Sequence, residues 1–575
     1  MARTEDRSIP PHSLSDWKVL LPYWRSEDRW KALGLLGGII GLSFLDVQVA
    51  VWFGKWDQTF FDTMFAYKVA ACIALIPIYL MMMGLSAGMR VIQQYMTQVL
   101  SMRWRLWNTR VYLRKYLSDD AYYHLEHGEN RADNPDQRIA DDLAQMTVWT
   151  LRLGLDAIQA VTTFLSFAVV LWTIGGTLSF VWKGWHIIIP GYMFFGTTIS
   201  ILLISLVLEK AGGPLVSANY RQQHYDADLR AALLDVRRNS EQIAFYGGEG
   251  AEHFRLSECL HRIATNWRSV MTYTWRANTV VELYTGGINI LLWALLIPKL
   301  LAHALTFGLY SRINSAFMNV RRSLQWFIEN YTDLATLRSI LQRLSEFERV
   351  VTGRSEGGIV RTPTEQGQIE IRDLVLDRAD GSRIATVGDL TIPTGARLII
   401  GGASGAGKST LLRALAGLWI CGAGSVSFNM REAMFLPQRS YVPTGTLRQA
   451  LSYPATPDRY ERDACETALE AANLGALVSK LDREAAWSDV LSPGEQQRLA
   501  FARVFLTRPA MLFLDEATSA LDEDNEALLY TRLLALLPDV TLMSVAHHSG
   551  LKRFHDREAV LSQQGMTIQV LHNTI

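Results

Sequence analysis

Cysteine is scarce in this chain, with four among 575 residues. Cys72, Cys259, Cys421 and Cys465 lie far apart, without a C-x-x-C pair or clustered histidines, which argues against a disulfide framework and a zinc site and leaves free thiols as the expectation. Net charge is missing too. Fifty-six basic side chains balance 56 acidic ones, so nothing points to a polyanion and nucleic acid is not an expected partner. The first thirty residues carry no apolar h-region ending in a small-residue cleavage site, so no cleaved signal peptide is expected. Charged residues make up only 19% of the chain against 49% hydrophobic, with a mean hydropathy of +0.08. That is too apolar for a purely soluble enzyme and too polar for a chain made only of membrane spans. The length exceeds one ordinary core, so a mixed, multi-domain protein is the expectation.

The apolar residues are concentrated in runs. A bilayer core about 30 Å thick needs roughly 20 apolar helical residues. Val69 to Met89 and Ala157 to Trp182 contain no charge, and after the single Lys183 the stretch Gly184 to Leu208 is also uncharged. Ala32 to Phe53 is interrupted only by Asp46, and shorter runs cover Leu283 to Pro298 and about Leu300 to Phe317. About six spans are expected. Arg90 to Arg152 holds nine Lys or Arg and Glu209 to Arg276 is similarly rich, which places these long connections in the cytoplasm. Met102 to Tyr123 mixes aromatic and basic residues without Gly or Pro, as a helix continuing past the membrane or an interfacial anchor does. Ionisable residues inside spans are costly and often mark a pathway, which singles out Asp46 and Glu282, although Glu282 stands near a span start and can also reach the interface. His186 and His303 read as interfacial.

The spans stop by about Trp326. The expected division is a transmembrane domain over 1–345 with long cytoplasmic helical extensions, a polar linker over 346–368 and a soluble α/β domain over 369–575. Ile369 to Leu376 alternates like a strand, and the apolar run Ala396 to Ile400 leads into Gly402-Ala403-Ser404-Gly405-Ala406-Gly407-Lys408-Ser409. This is the full G-x-x-x-x-G-K-S phosphate loop, here between a strand and a helix that continues through Thr410. Its glycines turn backbone N–H groups toward phosphates, Lys408 reaches the β- and γ-phosphates of ATP, and Ser409 holds Mg²⁺. A second apolar strand, Met511 to Leu514, ends in Asp515-Glu516, where α/β sheets place chemistry. Asp515 is the expected second Mg²⁺ ligand and Glu516 the group that polarises the attacking water.

Between these motifs, Leu491-Ser492-Pro493-Gly494-Glu495-Gln496-Gln497-Arg498 resembles the LSGGQ signature of ABC transporter ATPases. Gln438 in FLPQRSYVPTGTLRQAL, the Ser519-to-Asp522 loop and His547 in SVAHH fit the same family. The resemblance implies catalytic roles for Glu516, His547 and Gln438, with Gln438 also near the metal. It further implies nucleotide contacts from Ser492, Gly494, Glu495 and Asp522, and two ATPs held between head-to-tail domains. One chain carries one such domain, so a homodimer of half transporters is expected. Pro493 and Glu495 replace the Gly and Gln of the commonest signature. No aromatic residue occurs from Ile369 to Ile400, where many ABC domains stack adenine, and Arg378 near that position either stacks as a guanidinium plane or is simply solvated.

In the membrane half, AYYHLE (121–126), NPDQRIADD (134–142), RRNSEQIAFYGGE (237–249) and NSAFMNVRRSLQWFIENY (314–331) resemble the group joining SbmA/BacA-like peptide transporters, YddA-like ABC proteins and the peroxisomal ABCD transporters. The implied architecture is an all-α transmembrane bundle of the ABC exporter type followed by an α/β P-loop NTPase domain. The implied location is a bacterial inner membrane. Peptides or similar hydrophilic solutes lead as substrates, with cobalamin and acyl-CoA or lipid also handled in the group. The 237–249 segment, and Glu241 in it, is implied to dock on a nucleotide-binding domain and couple it to the membrane.

Overall fold

The computed structural model describes residues 16–127, 134–182, 185–352, 357–365, 367–378, 380–546, 549–562 and 565–571. They form two compact units, one of Met1–Ser118 with Ala132–Thr352, the other of Gly353–Ile575 with Asp119–Arg131.

The first unit is helical. Its main elements are α1 (Arg29–Phe65), α2 (Val69–Leu117), then, after the short α3 (Ala121–His127) that belongs to the second unit, α4 (Leu143–Gly175), a hairpin of β1 (Thr177–Trp182) and β2 (Trp185–Pro190), α5 (Tyr192–Arg238), α6 (Ser240–Tyr246), α7 (Glu249–Leu301), α8 (Phe307–Glu329) and α9 (Tyr331–Thr352). Among the described residues α1, α2, α4 with its leading turn, and α7 are long and apolar enough to cross a membrane, and α5 opens with a shorter apolar stretch, Tyr192–Ile204. Phe167, Leu171, Met193, Ile288, Leu292, Phe317 and Val320 form one buried cluster that joins α4, α5, α7 and α8. A second cluster packs Tyr23 against Trp104, their rings stacked at 5.6 Å, beside Ile39, Leu100 and Leu151. Val161, Leu165 and Val169 on α4 and Leu203 and Leu206 on α5 remain exposed, as side chains that meet lipid do.

Three of the expected runs are cut differently, and one of them, Gly184 to Leu208, opens as a strand and becomes helical only at Tyr192. The run Ala157 to Trp182 does not stay helical: α4 stops at Gly175, and Thr177–Trp182 pairs antiparallel with Trp185–Pro190. The paired residues, TLSFVW and WHIIIP, are rich in β-branched and aromatic side chains, and Gly191 N–H donates to Gly176 O at 3.0 Å to close the hairpin. Likewise 300–317 straddles the break between α7 and α8. The stretch Met102 to Tyr123 is helical to Leu117 and turns at Asp119 and Asp120, whose φ of 52° and 54° no α-helix accommodates.

Ahead of α4 the chain makes a π-turn, Arg138–Asp142, that buries Asp142. Arg343 of α9 reaches both its oxygens, Nε at 2.9 Å and Nη2 at 2.7 Å, and Arg138 Nη1 adds a bond at 3.0 Å. Lys115 of α2 pairs with Glu348, so α9 is tied to two other helices by charge.

Among the described residues the second unit holds two main sheets and a two-residue ladder pairing Gly445–Thr446 with Glu484–Ala485. β3 (Ile359–Pro363), β4 (Ile369–Asp377), β5 (Arg383–Ile392), β6 (Arg397–Gly401), α10 (Lys408–Ala416), β7 (Gly422–Phe428), β8 (Ala433–Leu436), α11 (Leu447–Ser452), α12 (Arg462–Ala471), α13 (Pro493–Thr507), β9 (Met511–Asp515), α14 (Glu523–Leu536), β10 (Thr541–Val545), β11 (Arg557–Ser562) and β12 (Gly565–Val570) follow in order. The larger sheet runs β12-β11-β6-β10-β9-β8, and the smaller β3-β7-β4-β5. Pairing from β11 through β6, β10 and β9 to β8 is parallel throughout. Parallel strands covered on both faces need near-continuous apolar sequence, which explains RLIIG, MLFLD and TLMSV.

Candidate nucleotide site

The C-terminal ends of neighbouring parallel strands converge on one loop. β6 runs into the 402–407 turn and α10 begins at Lys408. Gly402 and Gly407 have φ of 136° and 98°, and a Cβ at either would meet Leu561 O at 2.4 Å or Ile384 Cγ2 at 2.8 Å, so only glycine lets the loop close here. Ala403, Ser404 and Gly405 lie exposed at its crest, with Ala406 buried behind them. Lys408 is buried, its Nζ donating to Gly402 O at 2.9 Å and Ala403 O at 3.1 Å. Thr410, half-buried, follows in α10.

The strand-end carboxylates sit beside this loop. Ser409 Oγ donates to Asp515 Oδ1 at 2.8 Å, and Gln438 Nε2 donates to Glu516 Oε2 at 2.7 Å. Burial pushes the Asp515 carboxyl above its usual range, opposed by the Ser409 hydrogen bond. Glu516 adopts a left-handed φ of 49°, an unfavourable conformation for a non-glycine residue, while its N–H donates to Val545 O at 3.0 Å. Phosphate loop, Ser409, Asp515, Gln438 and Glu516 are thus one cluster. His547 lies outside the described residues.

The signature begins α13. Ser492 is its N-cap, Pro493 its first residue, and Ser492 with Glu495 forms a capping box. A Cβ on Gly494 would stand 3.1 Å from Ala520 O, so the signature and the Ser519–Asp522 loop pack closely. Asp522 caps α14, accepting from Asn525 N at 2.7 Å. Arg378 stands exposed on the turn between β4 and β5, donating through Nη1 to Ser382 Oγ at 3.1 Å, and Trp419 Nε1 holds Asp377 O at 3.1 Å behind it.

Sequence reasoning missed Gln497. Its buried amide donates to Gln438 O at 3.3 Å and Ser519 Oγ at 3.2 Å and accepts from Ala520 N at 2.9 Å, joining the signature helix to two loops around Glu516. Arg503 was missed as well. It bonds Ala450 O at 3.0 Å and Tyr441 O at 2.8 Å, and burial pushes its pKa down to about 10. Only the polar identity of both residues on an otherwise apolar helix face hinted at them.

Residues 17–300 match the ABC transporter transmembrane region 2 family, and residues 387–519 match the ABC transporter family. The chain is 29% identical to the inner membrane ABC transporter ATP-binding protein YddA of Escherichia coli, over 94% of this chain and 95% of that one. It is 30% identical to the human lysosomal cobalamin transporter ABCD4, over 94% and 92% respectively. A bacterial Atm1-family ABC exporter solved with ATP bound shares the fold, with a TM-score of 0.73 at 17% identity over 95% of this chain and 96% of that one. The chain therefore belongs to the ABC transporters, as a half transporter of the YddA and ABCD type that fuses one membrane-spanning region to one ATP-hydrolysing domain.

Proposed function

We propose that two copies of this chain form a homodimer with two shared ATP sites and drive uptake of peptides or similar hydrophilic solutes across a bacterial inner membrane. The observation that carries the ATPase half is the pairing of Ser409 with Asp515 and Gln438 with Glu516 at adjoining strand ends. In this reading the 402–407 backbone and Lys408 bind the phosphates of ATP, Glu516 takes a proton from the attacking water, Gln438 fixes the Glu516 carboxylate, and His547 contacts the γ-phosphate. Ser409, Asp515 and Gln438 offer the hard oxygen donors that suit Mg²⁺, which arrives with the nucleotide and supplies charge stabilisation. Ser492, Gly494 and Asp522 serve the nucleotide held by the other copy, with Glu495 in the same turn, and Arg378 lies against the base of the nucleotide on its own chain's phosphate loop.

A hydrophilic cargo is supported by the carboxylates among the membrane helices. Asp46 of α1 accepts from Ser86 Oγ of α2 at 2.5 Å, and Glu282 is exposed on α7 beside Asn278 and Thr279, on a helix face that also carries Trp267, Met271, Trp275 and Leu283. The inner-membrane relative supports the location, and the cobalamin-transporting relative favours cobalamin as the second reading. Inside-out and right-side-out vesicles given ATP with labelled peptide or labelled cobalamin discriminate. Peptide moving toward the cytoplasmic side, and not with Glu516→Gln, is the expected result. Movement of cobalamin alone selects the second reading, and movement outward contradicts import.

A further inference from the structure

Ser492 has one hydroxyl proton, and in this structure Glu495 takes it. Ser492 Oγ donates to Glu495 Oε2 at 2.8 Å, and the same carboxylate oxygen accepts the Ser492 backbone N–H at 2.9 Å. In return Ser492 Oγ accepts from Glu495 N–H at 3.4 Å. The hydroxyl's one proton is therefore committed within its own helix turn. The carboxyl is held in its charged form, below its usual range, by the Ser492 backbone bond first, then the hydroxyl, with Arg498 and Lys480 adding positive charge nearby.

A γ-phosphate is an acceptor and carries negative charge. For Ser492 to serve one, its proton must leave Glu495, and the carboxylate then faces a second anion across the turn. We infer that Glu495 is a latch on Ser492, a positioning residue that withholds the hydroxyl proton and so raises the nucleotide concentration needed to bring the two ATPase domains together. The inference rests on the proposed role of Ser492 toward the nucleotide of the other copy. A glutamine in its place keeps the capping box, since its carbonyl accepts the Ser492 N–H. That carbonyl, standing where Glu495 Oε2 accepts both Ser492 bonds, is a neutral and weaker acceptor, so it releases the hydroxyl proton more readily and sets no negative charge against the γ-phosphate.

The test uses the full-length protein in lipid nanodiscs, with dyes on the ATPase domains of the two copies and closure read by energy transfer. The nucleotide is the slowly hydrolysed β,γ-imido analogue of ATP with Mg²⁺. Glu495→Gln should lower the half-closing concentration about tenfold, the scale of one charge-assisted hydrogen bond. Ser492→Ala should raise it, and adding Glu495→Gln to Ser492→Ala should recover little, because the gain passes through the hydroxyl. The latch is wrong if Glu495→Gln closes no more readily than the parent while Ser492→Ala closes less readily. It is also wrong if Glu495→Gln gives the same gain with and without the hydroxyl, which would be bulk repulsion only. A Ser492→Ala protein that closes like the parent would overturn instead the role of Ser492 on which the latch depends.

Discussion

Glu516 holds a backbone conformation that costs about 1–3 kcal/mol for a non-glycine residue, and the surrounding bonds from Gln438 and to Val545 maintain it. Such strain at a strand end beside a phosphate loop fits the proposed role of Glu516 as general base. Glu516→Gln should keep ATP binding while slowing hydrolysis by about two to four orders of magnitude, whereas Lys408→Ala should weaken binding itself. Turnover near the parent's in Glu516→Gln would remove the base assignment. A second titrating residue belongs to stability. His555 is buried, with Nδ1 facing Leu551 O at 2.8 Å and Nε2 facing Ser544 Oγ at 2.9 Å, and burial pushes its pKa down to about 4. Between about 4 and the ordinary value of 6.5 the unfolded chain binds more protons, so folding stability falls as pH drops through that window, by on the order of 3 kcal/mol in all. Melting curves at pH 7 and pH 5 should show somewhat over half of this loss, and His555→Gln should flatten it. An unchanged pH slope would assign the loss elsewhere. Of the site, the phosphate loop and strand-end acids were legible because local spacing dictates them. Gln497 and Arg503 were not, because their partners lie 22–62 residues away.

At the scale of elements, the charged joint at Asp142 makes a strong claim. Removing one partner of a buried ion pair typically costs about 3–5 kcal/mol, because the remaining charge keeps its desolvation penalty. Asp142→Asn should therefore lower the melting temperature of the detergent-solubilised protein markedly, and Arg343→Gln added to it should cost much less than the two separate losses combined. Full additivity would show that the pair is not coupled. The segment that carries Asp142, NPDQRIADD, stood out in sequence only by family resemblance and not as a turn, and no sequence period announces a partner 201 residues away. The hairpin after α4 was misread for a related reason: its residues are as apolar as the helix before them, and only Gly175-Gly176 marks the change. Helix α6 carries the segment expected to couple the two domains. Glu241 lies in its first turn, and Phe245 and Tyr246 at its end are 82% and 88% exposed, an apolar surface suited to docking. Glu241→Ala should leave ATP hydrolysis within a few fold while transport falls much further. Parallel loss of both activities would make Glu241 a packing residue.

For the whole molecule, composition pointed to a mixed protein, the placing of the apolar runs separated a membrane half from an α/β half, and the second unit's parallel sheet follows from its apolar strands. The inclusion of α3 in that unit was not legible, because assigning a short helix to one unit or another depends on packing. The central claim is that hydrolysis occurs at sites completed by two copies, each lending its 402–409 loop to one ATP and its Ser492–Glu495 turn to the other. Tagged mixed dimers test it most directly. Lys408→Ala and Ser492→Arg homodimers should both be inactive, since every site in each lacks one half. A purified mixed dimer with one chain of each kind concentrates both lesions in one site and keeps the other intact, so its ATPase activity should return to a measurable fraction of the parent's. A mixed dimer as inactive as both homodimers, or full activity in a purified monomer, would contradict the shared site.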